Sequence, residues 1–440
     1  MNPVRILAIG FALVILTGGI LLSLPIASKT GESTPFIDSL FTATTSVCVT
    51  GLVTVDTGTH WNYFGSTVIL ILIQIGGLGF MSFATLTAVF LGKKLGLKDR
   101  LVMQEAYNAF NLQGIIKMVK YVVYFTFGVE MIGALLLMTQ FIPIYGIGKG
   151  IYFGIFHSIS AFCNAGIDLI GGFRSVTIYN DNKIILITIM SLIAIGGLGF
   201  SVWMEIWYFN KRKHLSFHAN LVIRTTLILI FGGAILLFLF EFNNPATMKG
   251  MTLLDKIVNS IFSSITPRTA GFNSISTSEM TMGGRILTMI LMFIGGSPGS
   301  TAGGIKTTAL GILVLTIICV LKGKEDPEAF NRRIAKDTVY KAFAVFTIGL
   351  VIVFTVSFIM SFGEAGTNVT FENIIYESIS AFATVGLTEG ITPNLHFISK
   401  AALIGGMYLG RVGPLTVMLA LSRQKNPAKI TYPEGKILIG

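Results

Sequence analysis

Charge is scarce in this chain. Only 12% of its 440 residues are Asp, Glu, Lys or Arg, where soluble domains carry about 25%. The net charge of +11, 32 basic against 21 acidic residues, would suit a nucleic-acid partner in a soluble protein. Here the basic residues fall in short loops between apolar segments, so membrane topology explains them better and a nucleic-acid partner is excluded. Cysteine is almost absent. Cys48, Cys163 and Cys319 form no CxxC and argue against a disulfide framework or zinc site; they read as small buried hydrophobes. The five histidines, His60, His157, His214, His218 and His396, have no metal-ligand spacing. There is no GxxxxGK[ST], and no GxGxxG after a strand, so this chain holds no nucleotide and hydrolyses none. No nucleophile motif stands out, and an enzyme is not expected.

What is plentiful is apolar. The chain is 52% hydrophobic with a mean hydropathy of +0.76, and many runs exceed the ~18 residues that mark a membrane span. The first of them, residues 6–24, is long for the core of a signal peptide and is read as a helix. Ile-Gly-Gly recurs in the apolar spans at 75–77, 195–197, 294–296 and 404–406, twice as IGGLGF. A small-residue tripeptide precedes each, ending at Gly51, Gly166, Gly271 and Gly386, at spacings of 115, 105 and 115 residues. SISAFCNAGI (158–167) is echoed by SISAFATVGL (378–387).

Self-similarity at a fixed period signals repeated structural units. Four are expected, at 1–92, 117–210, 220–322 and 340–422, followed by a tail at 423–440. Each reads as helix, half-helix, loop, helix: 5–24, 36–47 and 64–91; 119–142, 150–162 and 183–208; 221–241, 255–265 and 285–321; 340–362, 371–382 and 398–421. The fold class is an all-α, multi-pass integral membrane protein with four such repeats around one pore. Segments of 10–14 apolar residues are too short to cross a bilayer and suit a chain that dips in and returns. The segments assigned inside hold 21 Lys and Arg, the outer loops 9. The positive-inside rule puts both termini in the cytoplasm and the re-entrant loops outside.

The tripeptides are Val49-Thr50-Gly51, Asn164-Ala165-Gly166, Thr269-Ala270-Gly271 and Thr384-Val385-Gly386. The last is the TVG that opens a K⁺-channel filter, in which backbone carbonyls replace the ion's hydration shell. Glycine permits the turn that points those carbonyls inward, and the half-helix C-termini, roughly −0.5 charge each, favour a cation. No loop continues to Tyr-Gly, so fewer ion sites and looser selectivity than in a K⁺ channel are expected.

With these loops, with IGGSPGSTAGGIKTT (294–308) and with GRVGP (410–414), the chain resembles the membrane subunits of bacterial Ktr K⁺ uptake systems, KtrB/KtrD type, in the Trk/Ktr/HKT superfamily. The likeness covers essentially the whole chain. It implies a K⁺ pore with one filter glycine per repeat, here Gly51, Gly166, Gly271 and Gly386. It further implies a bacterial cell-membrane location, homodimers with one pore per protomer, Na⁺-stimulated uptake, and regulation by a cytosolic nucleotide-binding RCK ring of KtrA/KtrC type. The apolar end of the tail, KILIG, is expected in the dimer interface.

The third outgoing span should break. Gly295, Gly296, Ser297, Pro298, Gly299, Ser300, Thr301, Ala302, Gly303 and Gly304 lead into Lys306. In a helix interior each Gly costs about 1 kcal/mol and Pro about 3. A loop at membrane depth must pack in protein or line water. This one is expected to obstruct the pore and move to open it, as the family's gating loop does; a packing kink is the plainer reading. Lys306 and Arg411 fall within apolar spans, where a central cation costs at least ~2.5 kcal/mol and usually has a task. Arg411 could hold the loop's carbonyls and repel ions, or snorkel; Lys306 could clamp the same loop, or snorkel. Asp56, Asp168 and Glu389 follow filter glycines and could draw cations to the outer mouth, or be solvated loop charges. Arg268 opposes that trend and could brace its loop through an ion pair. The basic inner loops suit anionic lipid or the regulatory partner. Two other functions share this pattern: a K⁺/Na⁺ symporter with alternating access, and a Na⁺ or NH₄⁺ channel on the same fold.

Overall fold

The computed structural model describes residues 3–79 and 115–413 and is almost entirely helical. Residues 80–114 and 414–440, which include the inner half of the first outgoing span and the tail proposed for dimerisation, lie outside the described residues. The helices are α1 (Pro3–Ser23), α2 (Phe36–Val47) and α3 (Tyr63–Leu78); α4 (Ile115–Tyr145), α5 (Ile147–Phe162), α6 (Lys183–Gly197) and α7 (Phe200–Trp207); α8 (Phe217–Glu241), α9 (Leu253–Ile265), α10 (Met282–Phe293) and α11 (Thr307–Leu321); and α12 (Lys336–Gly363), α13 (Phe371–Ala383) and α14 (Phe397–Val412). A two-residue hairpin, β1 (Glu328–Ala329) with β2 (Arg332–Arg333), follows α11.

Polarity runs opposite to that of a soluble domain. α1, α4, α8 and α12 are long and apolar enough to cross a membrane, and they expose Leu13, Phe127, Ile228 and Phe358. The short helices α2, α5, α9 and α13 are the buried ones, and they carry the hydroxyls: Ser39, Thr42, Thr44, Thr45 and Ser46 of α2 are all buried. Those hydroxyls would be costly in lipid. Thr42, Thr44 and Ser46 instead donate to the carbonyls of Asp38, Leu40 and Thr42 at 2.6–2.8 Å. At 12–16 residues and a ~1.5 Å rise, the short helices reach about 18–24 Å, less than the ~30 Å hydrocarbon core.

Each short helix packs on its own long helix and on the outgoing helix of the preceding unit: α3 on α5, α6 on α9, α10 on α13. The order closes, because α14 packs on α2. Polar caps start the outgoing helices. Asn62 accepts from Phe64 and Gly65, Asn182 from Ile184 and Ile185, and Thr281 from Gly284, each satisfying amides that have no partner within the helix.

Breaks in the outgoing helices are the rule, not a property of the third alone. α10 stops at Phe293 and 294–306 is irregular before α11, as the glycines and Pro298 dictate. The segment 183–208, expected as one span, is also broken: α6 and α7 meet at 97° around Gly199 at φ +93°. α3 and α14 end at Gly79 and Gly413, at φ +81° and +94°. These left-handed glycines are where an α-helix terminates most cheaply.

The fourth Ile-Gly-Gly is displaced from its sequence match. A Cβ on Gly76 or Gly196 would collide with the carbonyl oxygen of Val47 or Phe162, at the end of a short helix. In the fourth unit Gly410 makes that approach, to Phe382 O, while a Cβ on Gly405 would meet nothing within 4 Å. Leu409–Gly413 therefore superposes in role on 75–79 and 195–199, each close-approach glycine being followed three residues on by its left-handed one. Arg411 then occupies the place of Gly77 and Gly197. Gly410→Ala is expected to cost about 1–3 kcal/mol through overpacking, whereas Gly405→Ala leaves stability unchanged or gains up to ~1 kcal/mol of helix propensity. Thermal unfolding of the two purified variants measures the difference.

Candidate functional site

The four tripeptides share one backbone conformation. Val49, Asn164, Thr269 and Thr384 have φ of +50°, +60°, +72° and +52°, and Gly51, Gly166, Gly271 and Gly386 have φ of +104°, +65°, +76° and +92°. The middle residues, Thr50, Ala165, Ala270 and Val385, are absent from the left-handed region. Alternating left- and right-handed residues turns successive carbonyls to the same side of the strand. Positive φ costs roughly 1–3 kcal/mol at a non-glycine residue and is an outlier for β-branched Val49, Thr269 and Thr384. Four copies of that strain persist because the surroundings enforce them.

The glycines meet. A Cβ on Gly51 would lie 3.3 Å from the Cα of both Gly166 and Gly386; on Gly166, 2.8 Å from Gly271 Cα; on Gly386, 2.7 Å from Gly51 Cα. Gly271 faces Val385 O and lies 3.3 Å from Gly166 Cα by the same measure. All four triplets are buried. Thr50 Oγ1, Asn164 Oδ1 and Thr384 Oγ1 are buried without a hydrogen-bond partner among the described residues. Buried acceptors without a donor are costly, and a cluster of them is what a bare cation would satisfy.

Hydroxyls at matching places hold the triplets, and the sequence reading passed over them. Gly51 N donates to Thr45 Oγ1 at 2.9 Å and Gly386 N to Ser380 Oγ at 3.1 Å. Ser160 Oγ and Thr266 Oγ1 donate to Ile167 O and Phe272 O, each at 2.6 Å. The backbone adds Thr50 N to Thr45 O, Ala165 N to Ser160 O and Val385 N to Ser380 O, all at 2.8 Å. The signal was present in the serines of SISAF, six residues before Gly166 and Gly386.

On one side of the ring, a cavity of about 30 Å³ is lined by Gly51, Gly166, Asp56 and Asp168. Burial pushes the Asp168 carboxyl up to about 6; the Ile170 amide opposes the shift and the Asp56 charge adds to it. Asp56 Oδ1 caps a helical turn at Gly58, 2.9 Å away, and Oδ2 accepts from the Gly172 and Phe173 amides of the second unit. Glu389 does not join them. It accepts from Asn373 and lies 3.5 Å from Arg285, which also pairs with Glu372. Arg268 is not a mouth residue either. It is buried at the C-terminal end of α9 and donates to Thr226 of α8 at 3.4 Å; the ion pair expected for it is not among those described.

On the other side lies 294–306. Its first half is pinned to the α6–α7 break: Ser297 N to Gly197 O at 3.0 Å, Thr301 N to Gly196 O at 3.2 Å, and Phe200 N to Gly299 O at 2.9 Å, with Pro298 O facing Gly199. Thr301 Oγ1 donates to Phe162 O at 3.2 Å, and Ser300 Oγ to Ser297 O at 2.7 Å. Gly296 O accepts from Thr307 N at 3.0 Å, and Gly295 abuts Gly303 O. Its second half reaches the fourth triplet, where Gly303 abuts Thr384 Oγ1 and Gly304 lies against Ala383. The loop thus crosses from the second unit to the fourth beside the start of the fourth triplet.

Lys306 and Arg411, both partly buried, end on this loop. Lys306 Nζ donates to Ala302 O at 2.7 Å. Arg411 donates Nη1 to Thr301 O and Nη2 to Gly76 O, with Gly77 O at 3.4 Å. The planar, multi-donor guanidinium suits such a bridge; here it joins α3, α14 and the loop. Neither cation pairs with a carboxylate among the described residues. No group of His, Cys, Asp and Glu able to hold a metal occurs among them.

The family model described as "TrkH: Cation transport protein" matches residues 9–430. The chain is 44% identical to the potassium/sodium uptake protein NtpJ of Enterococcus hirae, over all of this chain and 98% of that protein. It is 41% identical to the Ktr system potassium uptake protein B of Bacillus subtilis, over all of this chain and 97% of that protein. The fold matches the crystal structure of the potassium transporter TrkH from Vibrio parahaemolyticus at a TM-score of 0.74 and 16% identity, over 96% of this chain and 85% of that one. On sequence, extent and fold, this chain is a membrane protein that belongs to the TrkH family of cation transport proteins.

Proposed function

We propose that this chain takes K⁺ into the cell along an axis enclosed by its four triplets, as the membrane subunit of a Ktr-type uptake system. The observation that carries the reading is the closed ring of Gly51, Gly166, Gly271 and Gly386 with the same left-handed strain in each arm. Four units related by approximate fourfold symmetry, with both termini in the cytoplasm, would place that ring on the axis. The relatives named as potassium uptake proteins support K⁺ as the cargo, and the one named for potassium and sodium supports a role for Na⁺.

Each element has a task in this reading. Carbonyls of the triplets take the place of water around the ion. Thr45, Ser160, Thr266 and Ser380 brace the loops against collapse. The C-termini of α2, α5, α9 and α13 supply partial negative charge at the inner end, and Asp56 and Asp168 raise the local cation concentration at the outer end. The segment Gly295–Gly304 with Lys306 obstructs the inner end, and Arg411 holds it there. A fixed guanidinium beside the ion path opposes a monovalent cation, and at the effective dielectric of a partly buried site that repulsion is on the order of a few kcal/mol. Opening must then carry Thr301 away from Arg411. A cytosolic RCK ring, acting on a homodimer of this chain, would drive the motion through α11.

Uptake in a K⁺-uptake-deficient bacterium, with and without an RCK subunit, and reversal potentials in K⁺, Na⁺ and NH₄⁺ test the reading. Gly386→Ser, which thrusts a side chain at Gly51 and Thr50 O, is expected to abolish K⁺ preference; retained preference would count against the ring as filter. Arg411→Ala, or deletion within 297–303, is expected to raise K⁺ leak at least about tenfold, given the size of the barrier; unchanged leak would refute the gate. Asp168 loses its charge as the pH falls through about 6, so K⁺ uptake at limiting K⁺ is expected to fall across that range. Asp168→Asn is expected to be low and flat with pH.

A further inference from the structure

Glu130 is a carboxyl group buried within a membrane-crossing helix, and nothing in the transport reading uses it. It lies on α4, 4% exposed. Gln74 Nε2 of α3 donates to Glu130 Oε1 at 3.1 Å, and Cys163 Sγ, which precedes the second triplet, lies 3.8 Å from the same oxygen. Ser158 Oγ of α5 donates to the Glu130 backbone carbonyl at 2.6 Å and fixes the height of the residue.

Two oxygens at this contact have no partner among the described residues: Glu130 Oε2 and Gln74 Oε1. Both are acceptors if the carboxyl is ionised, so neither can serve the other. An ionised carboxylate here would also lack a counter-charge. α3 carries no charged residue. The only charged residue of α6 is Lys183, which pairs with Asp255. On α5, Lys149 lies over the Tyr145 and Phe153 rings, and both ring nitrogens of His157 are engaged with the backbone of Phe153 and Leu169. Arg411 ends on the carbonyls of Gly76, Gly77 and Thr301 instead. A buried carboxylate without a cation is neutralised rather than tolerated, and the neutral acid has the one donor that the contact lacks.

We propose that Glu130 carries a proton on Oε2 and forms a reciprocal acid–amide pair with Gln74 that sets the position of the Gly76 and Gly77 carbonyls. One proton satisfies both orphaned oxygens, closing a ring with Gln74 Nε2–H to Oε1 and Oε2–H to Gln74 Oε1. The pair joins the first and second units two residues before Gly76, whose carbonyl receives Arg411. Glu130 is in this sense a positioning residue, and its consequence for flux rests on the gate reading above; its protonation does not.

Infrared spectroscopy of the full chain in lipid tests the proton directly. Wild type minus Glu130→Gln is expected to show one protonated-carboxyl C=O band at neutral pH, where an ordinary glutamate is ionised. Loss of ionised-carboxylate bands instead would overturn the proposal. K⁺ efflux from liposomes tests the positioning. Glu130→Gln keeps a reciprocal amide pair and is expected to leak like wild type, while Glu130→Leu and Gln74→Leu leak several-fold more. Equal leak from Glu130→Gln and Glu130→Leu would show that the pair does not set these carbonyls, and would also overturn it. If the leucine variants fail to fold, the infrared result and Glu130→Gln still decide.

Discussion

Backbone meets backbone at the centre of this protein, and most of the surrounding structure serves that approach. Gly51, Gly166, Gly271 and Gly386 come so close that a single methyl group on any of them would press on a neighbour's main chain. Side chains would fill the space between four such strands; glycine leaves it open and turns carbonyls toward it. The cost is strain at four non-glycine residues, and the hydroxyls of Thr45, Ser160, Thr266 and Ser380 distribute restraint around the ring. The buried polar faces of the short helices follow from the same need, because hydroxyls are required where the loops must be held. Lipid takes the remaining apolar surface.

A second layer of close approach lies one turn deeper. Gly76, Gly196 and Gly410 let the outgoing helices touch the ends of the short helices, and a left-handed glycine three residues on ends each helix. The unit that departs from this arrangement in sequence is also the one that supplies the crossing loop. Arg411 stands where two other units have glycine. Of these three places one carries a cation, beside the loop that it holds. The carbonyls it engages belong to two different units, so movement of the loop and movement of α3 are mechanically linked through a single side chain.

Much of this was legible in the sequence, because the signals were local and repeated. Helix positions followed from the lengths of the apolar segments, and the triplets from Gly at near-constant spacing. The loop at 294–306 was legible because Gly and Pro cannot sustain a helix there. What escaped had a three-dimensional cause. The fourth Ile-Gly-Gly was matched by its letters, yet Gly410 rather than Gly405 approaches Phe382, a choice made by helix phase across an interface. The break at 198–199 was hidden because IGGLGF lies inside an otherwise continuous apolar run. Arg268 was placed by loop counting, although it is buried and reaches Thr226 of α8; Glu389 was counted at the mouth, although Asn373 and Arg285 claim it. Glu130 is a lone acid in a long apolar span, and its partner Gln74, 56 residues earlier in the chain, comes beside it only in the fold.

The account stands on whether an unhydrated ion resides among the four glycines. Crystals soaked in Rb⁺ or Tl⁺ and measured at the ion's absorption edge answer this without mutation. Anomalous density centred on the axis between Gly51, Gly166, Gly271 and Gly386, within coordination distance of the triplet carbonyls, is the predicted result. Strong density elsewhere in the protein, with none inside that ring, would contradict it.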